Sequence, residues 1–489
     1  MKALFVASEI FPMAKTGGLG DVAAALPAAL AGLDVDIRLL MPAYPSAMQQ
    51  VRGLAVDRHF DDLAGFGPVD FLIGRTPKSD LRIWLVFCRR LFERSGGPYE
   101  DEYGAEWPDN LERFALLCQA ASRIAEGIGD WRPDIVHAND WHTGLVPSLL
   151  MAQSGSGVPT LLTIHNASYQ GAASLRQLRS FGIPPERLQR FGSGKLSFLS
   201  LGVQEANLLT AVSPTYAREI QTSEFGLGLE DLFAARSRDL TGILNGVDYD
   251  VWDPRHDPLI AQTYDERKLA GKSACKAALL QEFGLDGVSR APLLAIVSRL
   301  TPQKGLDLVL ERTRDLVDAG ARLVVLGKGD AKLERGFREQ AALHPSRVAA
   351  CIRYDEALAH RIVAGADIFL MPSRFEPSGL NQMYSLRYGT VPVVAAVGGL
   401  ADSIVDAGER GVAAGVTTGF CFEAGSAAAF SAAARKAMAV HADQPLWQAL
   451  QRNGMRRDFG WSRAAQTYRQ LYERLAPVAS PRLQPPGRG

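Results

Sequence analysis

The chain predicts two successive α/β domains of the Rossmann type, each built on a doubly wound parallel sheet. Short apolar runs alternate with helical runs along nearly all of its length, the pattern of strand–helix–strand units. The alternation comes as two series, separated by the turn-rich segment Trp252-Asp253-Pro254-Arg255-His256-Asp257-Pro258. The 489 residues also exceed what one hydrophobic core supports.

In the first series Ala3–Ala7 is short and apolar, as a buried parallel strand is, and the alanine- and leucine-rich run Asp21–Leu30 reads as a helix. Further strands are expected at Asp36–Met41, Val69–Ile73, Ile83–Phe87, Ile135–Ala138, Thr160–Thr163 and Leu208–Ala211, with a helix over Asn110–Glu126. The second series gives strands at Leu293–Val297, Arg322–Leu326, Ala349–Arg353, Ile368–Met371 and Pro392–Ala395. Helices follow over Gly305–Ala319 and Leu358–Ala364. The expected domains are 1–245 and 246–460, then a helical run over 461–476. The tail 477–489, rich in proline and glycine towards its end, is expected to be disordered.

Composition narrows the function. Lysine plus arginine and aspartate plus glutamate number 53 each, so the formal charge is zero. A general nucleic-acid binder carries a basic excess; a neutral partner such as a polysaccharide needs none. The five cysteines, Cys88, Cys118, Cys275, Cys351 and Cys421, are scattered without ligand spacing, which points to thiols in a reducing cytoplasm. Glu9 interrupts the first apolar stretch too early for a signal peptide, and no run is long enough for a membrane span.

Ligands of open α/β sheets sit beyond the carboxyl ends of the strands. Lys15-Thr16-Gly17-Gly18-Leu19-Gly20-Asp21-Val22 follows the first strand. Glycines there let the backbone turn tightly and approach a ligand, the amides of the new helix face an anion, and Lys15 adds a mobile positive charge. After Ile135-Val136 comes His137-Ala138-Asn139-Asp140-Trp141-His142, and after the next strand His165-Asn166. These groups suit sugar hydroxyls; a metal would want a third imidazole or thiolate at ligand spacing. In the second half, Arg299 and Lys304 lie on a loop before a helix, well placed for a diphosphate. Pro372-Ser373-Arg374-Phe375-Glu376-Pro377-Ser378-Gly379-Leu380 is a second such turn with one carboxylate, Glu376, and Gly398-Gly399-Leu400 repeats the device. Four loops of this kind favour an anionic sugar donor bound in a cleft between the two domains.

These blocks resemble the ADP-glucose-using bacterial glycogen synthases and starch synthases, retaining glycosyltransferases of the GT-B fold. The likeness runs to about residue 475. It rests on Lys15–Val22, His137–Leu145, His165–Gly171, Ala211–Tyr216, Gly242–Pro254, Ser298–Gly305, Arg374–Leu380 and Arg387–Thr390 through Leu400. The first block is highly specific to that family, whereas the arginine–lysine and Glu-Pro-x-Gly-Leu blocks are shared across retaining GT-B enzymes. The resemblance implies an active site in the interdomain cleft and transfer of glucose from ADP-glucose to the non-reducing end of an α-1,4-glucan such as glycogen, with retention. It implies that Lys15 and the amides near Gly17 and Gly18 hold phosphates and glucose, and places Asp21 in the same substrate-binding block. Arg299 and Lys304 would neutralise the leaving diphosphate, Glu376 orient glucose hydroxyls, and Gly379 and Leu380 cradle phosphate. His165 would lie near the glucose, and Asp140 beside the acceptor or donor sugar. It also implies that the helix after Trp461 crosses back to the first domain.

The chain departs from the family pattern at Ser378, often cysteine, at Val397, usually threonine, and at Ser200, usually lysine. Tyr384 stands where related GT-B families place a glutamate that contacts the ribose, which fits the glycogen-synthase branch. No metal or other cofactor is expected, because three cations can meet the charge on the leaving group. Asp34-Val35-Asp36 has the spacing of a metal-binding carboxylate pair but precedes a strand, so it reads as a solvated turn. A hydrolase would need two acids flanking one bond; Glu376 and Asp140 fall in different expected domains. No nucleic-acid or membrane partner is expected, and the location is cytoplasmic. The alternatives are UDP-glucose as donor, a sugar-phosphate acceptor, or a non-catalytic glucan-binding relative.

Overall fold

The computed structural model describes residues 1–152, 157–189, 196–287, 291–408 and 415–477. From residue 478 onward, the tail expected to be disordered lies outside the described residues. The chain divides into two units. One holds the described residues of Met1–Val212, Ala217–Gly246 and Trp461–Gly489, and the other Ser213–Tyr216 and Val247–Gly460.

In the first unit the strands are β1 (Lys2–Val6), β2 (Asp36–Pro42), β3 (Arg52–Phe60), β4 (Val69–Arg75), β5 (Arg82–Phe87), β6 (Ile135–Asn139), β7 (Thr160–Ile164), β8 (Leu208–Ala211) and β9 (Leu240–Gly242). They form one sheet in the order β3-β4-β5-β2-β1-β6-β7-β8-β9. From β5 to β9 every pairing is parallel, while β3 and β4 add an antiparallel hairpin at one edge. Ala3, Leu4, Phe5 and Val6 of β1 are fully buried, because helices cover both faces of a parallel sheet. The helix Trp461–Leu475 packs on the helix Gly18–Ala31 and buries Tyr468 and Tyr472. Tyr472 Oη lies 2.7 Å from His137 Nδ1 on β6.

The second unit carries β10 (Leu293–Val297), β11 (Arg322–Leu326), β12 (Val348–Cys351), β13 (Ile368–Met371), β14 (Val391–Ala395) and β15 (Phe420–Phe422). All pair in parallel, in the order β12-β11-β10-β13-β14-β15. Numbered within the unit this is 3-2-1-4-5-6, the doubly wound dinucleotide-binding order, whose ligand crevice opens where the order reverses between strands 1 and 4. Those strands are β10 and β13. The six central strands of the first unit, β5-β2-β1-β6-β7-β8, repeat the order, with the reversal between β1 and β6.

Most expected elements form, with shifted ends. The first helix begins at Gly18 rather than Asp21, with Gly17 as its N-cap. The helix expected at Leu358 starts at Glu356, because the Asp355 side chain accepts from the Leu358 amide and caps it. The strand expected over Ala349–Arg353 runs from Val348 to Cys351, and Arg353 pairs with Asp355 instead of continuing it. β3, β9 and β15 escape the sequence reading. β3 is mostly exposed at the sheet edge and lacks an apolar run, and β9 and β15 are three residues long. Asp34 sits in a turn with φ of 61°, and Asp36 opens β2 and accepts from Trp131 Nε1 at 2.9 Å. Among the described residues, no helix is long and apolar enough to cross a membrane.

Candidate active site

In the second unit the loops after β10 and β13 meet at the reversal point. Lys304 Nζ lies 2.6 Å from Glu376 Oε2, and Ser373 Oγ bonds the same oxygen at 2.9 Å. Glu376 is buried, and the Lys304 side chain is only 16% exposed. The backbones are stitched together as well. The Arg374 amide donates to Gln303 O at 2.9 Å, Gln303 Nε2 to Phe375 O at 3.2 Å, and Arg374 Nη1 to Pro302 O at 2.8 Å. The Arg374 guanidinium also forks onto Asp307, in the first turn of the helix Leu306–Asp318. Gly305 makes this approach feasible. Its φ is 62°, and a Cβ there would stand 1.9 Å from Pro372 O. Arg299 is exposed, and among the described residues its guanidinium has no partner, so it stands available to an anion.

Ser378, Gly379 and Leu380 lead into the helix Asn381–Arg387, which Asn381 Nδ2 ties to Val297 O on β10 at 2.6 Å. Gly398 and Gly399 run against this loop: a Cβ on either would lie 2.0 Å from a carbonyl oxygen, of Glu376 or Ser378. The Gly399 amide donates to Glu376 O and Pro377 O, at 3.1 and 3.2 Å. Val397 is the N-cap of the helix Gly398–Ser403, which it caps without a side-chain hydrogen bond. Tyr384 is buried and stacked on Trp252 with ring centroids 4.0 Å apart, and Trp252 stacks in turn on His360 at 3.7 Å. One face of the Tyr384 ring is therefore already covered by Trp252.

The first unit presents its own set at the ends of β1, β6 and β7. Lys15 Nζ lies 3.0 Å from Asp21 Oδ1, so this lysine is held rather than mobile. Gly17 has φ of −159°, an extended conformation open to any residue, and a Cβ on it would meet nothing within 4 Å. A tight turn is therefore not what requires glycine at position 17. Its amide also turns inward, onto the Glu9 carboxylate. Gly18 opens the helix.

Asp140 follows β6 with φ of 61° and ψ of −177°, strained for any residue but glycine. Its Oδ1 accepts from the amides of His165 and Asn166, each at 3.2 Å. Burial pushes its carboxyl up to about 7, against the pull of these amides. His165 Nε2 lies 3.0 Å from Asn139 Oδ1, and enclosure of the ring lowers its pKa to about 3, so the imidazole is neutral. Asp140 and His165 are thus brought together.

The other two histidines of this region are core residues. His137 is fully buried between Tyr472 and Thr163, bonded at 2.7 Å to each. His142 is enclosed by the rings of Tyr99, Phe114 and Trp141. Neither is open to a sugar. Ser200 is also structural: it shares a capping box with Ser197 at the start of the helix Phe198–Glu205, a role a lysine cannot fill. Sequence reasoning missed Glu9, whose only signal was a buried-strand register ending in a carboxylate. Among the described residues, no group of three or more histidine, cysteine, aspartate or glutamate side chains has the arrangement of a metal site.

Comparison with known proteins matches this geometry. The family model described as the starch synthase catalytic domain matches residues 2–235, and that of glycosyl transferases group 1 matches residues 285–456. A glycogen synthase of Paramagnetospirillum magneticum is 47% identical over 482 residues, covering 97% of this chain and 98% of that protein. One of Nitrosomonas europaea is 45% identical over 482 residues, covering 97% of each. The catalytic domain of starch synthase IV from Arabidopsis thaliana, solved bound to ADP and acarbose, has a TM-score of 0.88 and 32% identity, covering 98% of this chain and 99% of that one. Sucrose-phosphate synthase from Thermosynechococcus elongatus shares the fold alone, with a TM-score of 0.60 at 16% identity over 97% of this chain and 98% of that one. Two parallel α/β sheets with charged loops at their reversal points, and relatives matched from end to end, place the chain in the bacterial glycogen synthase family, glycosyltransferases of glycogen synthesis with the GT-B fold.

Proposed function

We propose that the donor is ADP-glucose, and that its glucose passes with retained configuration to the non-reducing end of an α-1,4-glucan. The observation that carries this reading is the Lys304–Glu376 pair, with exposed Arg299 on the same loop, at the reversal point of a 3-2-1-4-5-6 sheet. A nucleoside diphosphate is the ligand such a crevice suits. The starch synthase IV relative, solved with ADP and acarbose, supports an adenine nucleotide and a glucan-like acceptor.

In this reading the bond from glucose C1 to the β-phosphate oxygen breaks, and one from C1 to the acceptor O4 forms. Negative charge grows on the departing diphosphate, and the acceptor hydroxyl gives its proton to an oxygen of that diphosphate, which leaves as ADP. Arg299, Lys304 and Lys15 supply positive charge to the diphosphate, an interaction that strengthens as the bond breaks. Glu376 orients glucose hydroxyls, the Gly379 and Leu380 amides and Ser378 line the phosphate, and Gly18 offers an amide at its helix start. Asp140 and His165 meet sugar hydroxyls, with His165 neutral. Tyr384 backs the loop through its stack with Trp252. We propose further that these cations do the work a metal would do, that no cofactor is needed, and that the enzyme acts in the cytoplasm. Its five cysteines, all free thiols, suit that compartment.

Incubation with glycogen and labelled ADP-glucose or UDP-glucose tests the assignment. ADP release with label in the glucan is expected from ADP-glucose, with UDP-glucose far slower. A preference for UDP-glucose, transfer to a sugar phosphate in place of glucan, or glycogen binding without turnover would each overturn it.

A further inference from the structure

We propose that Glu9 is a positioning residue for the glycine loop. This rests on the reading of Lys15–Gly18 as part of the donor site. Glu9 lies three residues past the end of β1 and is 3% exposed. Its carboxylate takes the Thr16 amide, the Thr16 hydroxyl at 3.1 and 3.2 Å, and the Gly17 amide. The hydroxyl of Tyr99 donates to Oε1 at 3.0 Å and lies 2.7 Å from Ser8 Oγ.

Tyr99 is itself braced. Asn110 Nδ2 donates to its carbonyl at 2.9 Å, and buried Arg113 holds Pro98 O and Asn110 Oδ1 at 2.8 Å and Leu91 O at 3.1 Å. The loop also closes on Glu9 from its far end: a Cβ on Gly20 would come within 3.4 Å of Oε2. A buried carboxylate beneath a loop that takes an anion repels that anion unless its charge is spent on local donors. Here it is spent on Thr16, Gly17 and Tyr99. Those bonds fix which amides point inward, and with them the directions left to Lys15 and Gly18. Burial is the largest influence on the Glu9 carboxyl and holds it above its ordinary value, while the bonds from Thr16, Tyr99 and Gly17 work against that rise.

The full-length protein tests this with Glu9→Ala, Glu9→Gln and Tyr99→Phe. Hydrogen–deuterium exchange over residues 13–22 reads loop order without any donor, and steady-state kinetics with ADP-glucose read its consequence. Glu9→Ala is expected to speed exchange over 13–22 at least tenfold and raise the ADP-glucose KM at least tenfold. Exchange over 293–326 and the KM for glycogen should stay unchanged. Glu9→Gln, which keeps one carbonyl acceptor, should recover part of both effects, and Tyr99→Phe should show a smaller change of the same sign. Unchanged exchange over 13–22 in Glu9→Ala overturns the proposal. If Glu9→Ala does not fold, unchanged exchange in both other variants overturns it equally. Faster exchange in a protein whose wild type ignores ADP-glucose would instead sink the donor reading and leave the positioning role standing.

Discussion

Lys304 Nζ and Glu376 Oε2 stand 2.6 Å apart on loops that leave neighbouring strands of the second sheet. Each group is therefore the other's partner before any substrate arrives. Removing either leaves a largely enclosed charge with less than its full set of bonds, so these substitutions affect folding as well as chemistry. Lys304→Ala is expected to lower stability by about 1–3 kcal/mol, and Glu376→Gln by less, since the amide still accepts from Lys304 and Ser373. Both should reduce kcat by about 10²–10³, the usual loss when a preorganised charge is withdrawn. Urea unfolding beside steady-state kinetics separates the two effects. Near-normal turnover in both variants would refute the roles given to them.

Two glycines predict opposite outcomes. Gly305→Ala places a Cβ 1.9 Å from Pro372 O at a φ of 62°, so the Lys304 loop cannot keep its seat on the Ser373–Glu376 loop. A loss of about 2 kcal/mol or more and near-complete loss of turnover are expected. Gly17→Ala meets nothing within 4 Å in an extended backbone, so stability should change by less than about 0.5 kcal/mol. Its ADP-glucose KM should nevertheless rise, because the added methyl occupies space the donor is expected to use. A Gly17→Ala enzyme with wild-type KM would show that no ligand approaches there.

The glycine contrast shows how much the sequence disclosed. Strand–loop–helix joints with glycines and cations mark where a ligand sits, because strand ends in a doubly wound sheet are its only crevice. The placement of Lys15, Arg299, Lys304 and Glu376 beyond such strand ends was legible that way. What each glycine is for was not: a Cβ on Gly305 or Gly399 would run into backbone from distant segments, whereas one on Gly17 would meet no atom of the described residues within 4 Å. His137 and His142 looked like sugar ligands because sequence shows only that they lie near a strand end. Their burial depends on Tyr472, 335 residues away, and on Tyr99 and Phe114. Glu9 was overlooked for the same reason, since its partners Thr16 and Tyr99 meet it only in the fold. β3 was missed because an edge strand open to water needs no apolar pattern.

Tyr472 fastens the last described helix to the first sheet through His137. Tyr472→Phe keeps the ring but leaves His137 Nδ1 unpaired in a site without water access. A loss of about 1–3 kcal/mol is expected, with KM values unchanged, because neither group touches substrate. Thermal unfolding of the variant measures it, and an unchanged midpoint would mean that the bond carries no net stability.

Asp140 sets a pH dependence whose sign is opposed to that of its histidine neighbours. Its folded pKa, about 7, lies above the ordinary 3.8. The folded state therefore holds a proton the unfolded chain has released, and this contribution is full below about pH 4 and lost as pH rises through 7. His137 and His165, lowered to about 3, and His142, lowered as well, run the other way. Their contribution is full above pH 6.5 and lost as pH falls towards 3. Asp140→Asn keeps an acceptor for the His165 and Asn166 amides and, being the same shape, bears the same backbone strain as the aspartate, but it removes the opposing acid. Stability of the variant should then fall more steeply between pH 8 and pH 5 than that of the wild type, by about 2 kcal/mol over the interval at about 1.4 kcal/mol per proton per pH unit. Urea midpoints of both proteins at pH 5 and pH 8 measure the difference. Parallel pH curves would mean that Asp140 is ionised throughout the interval.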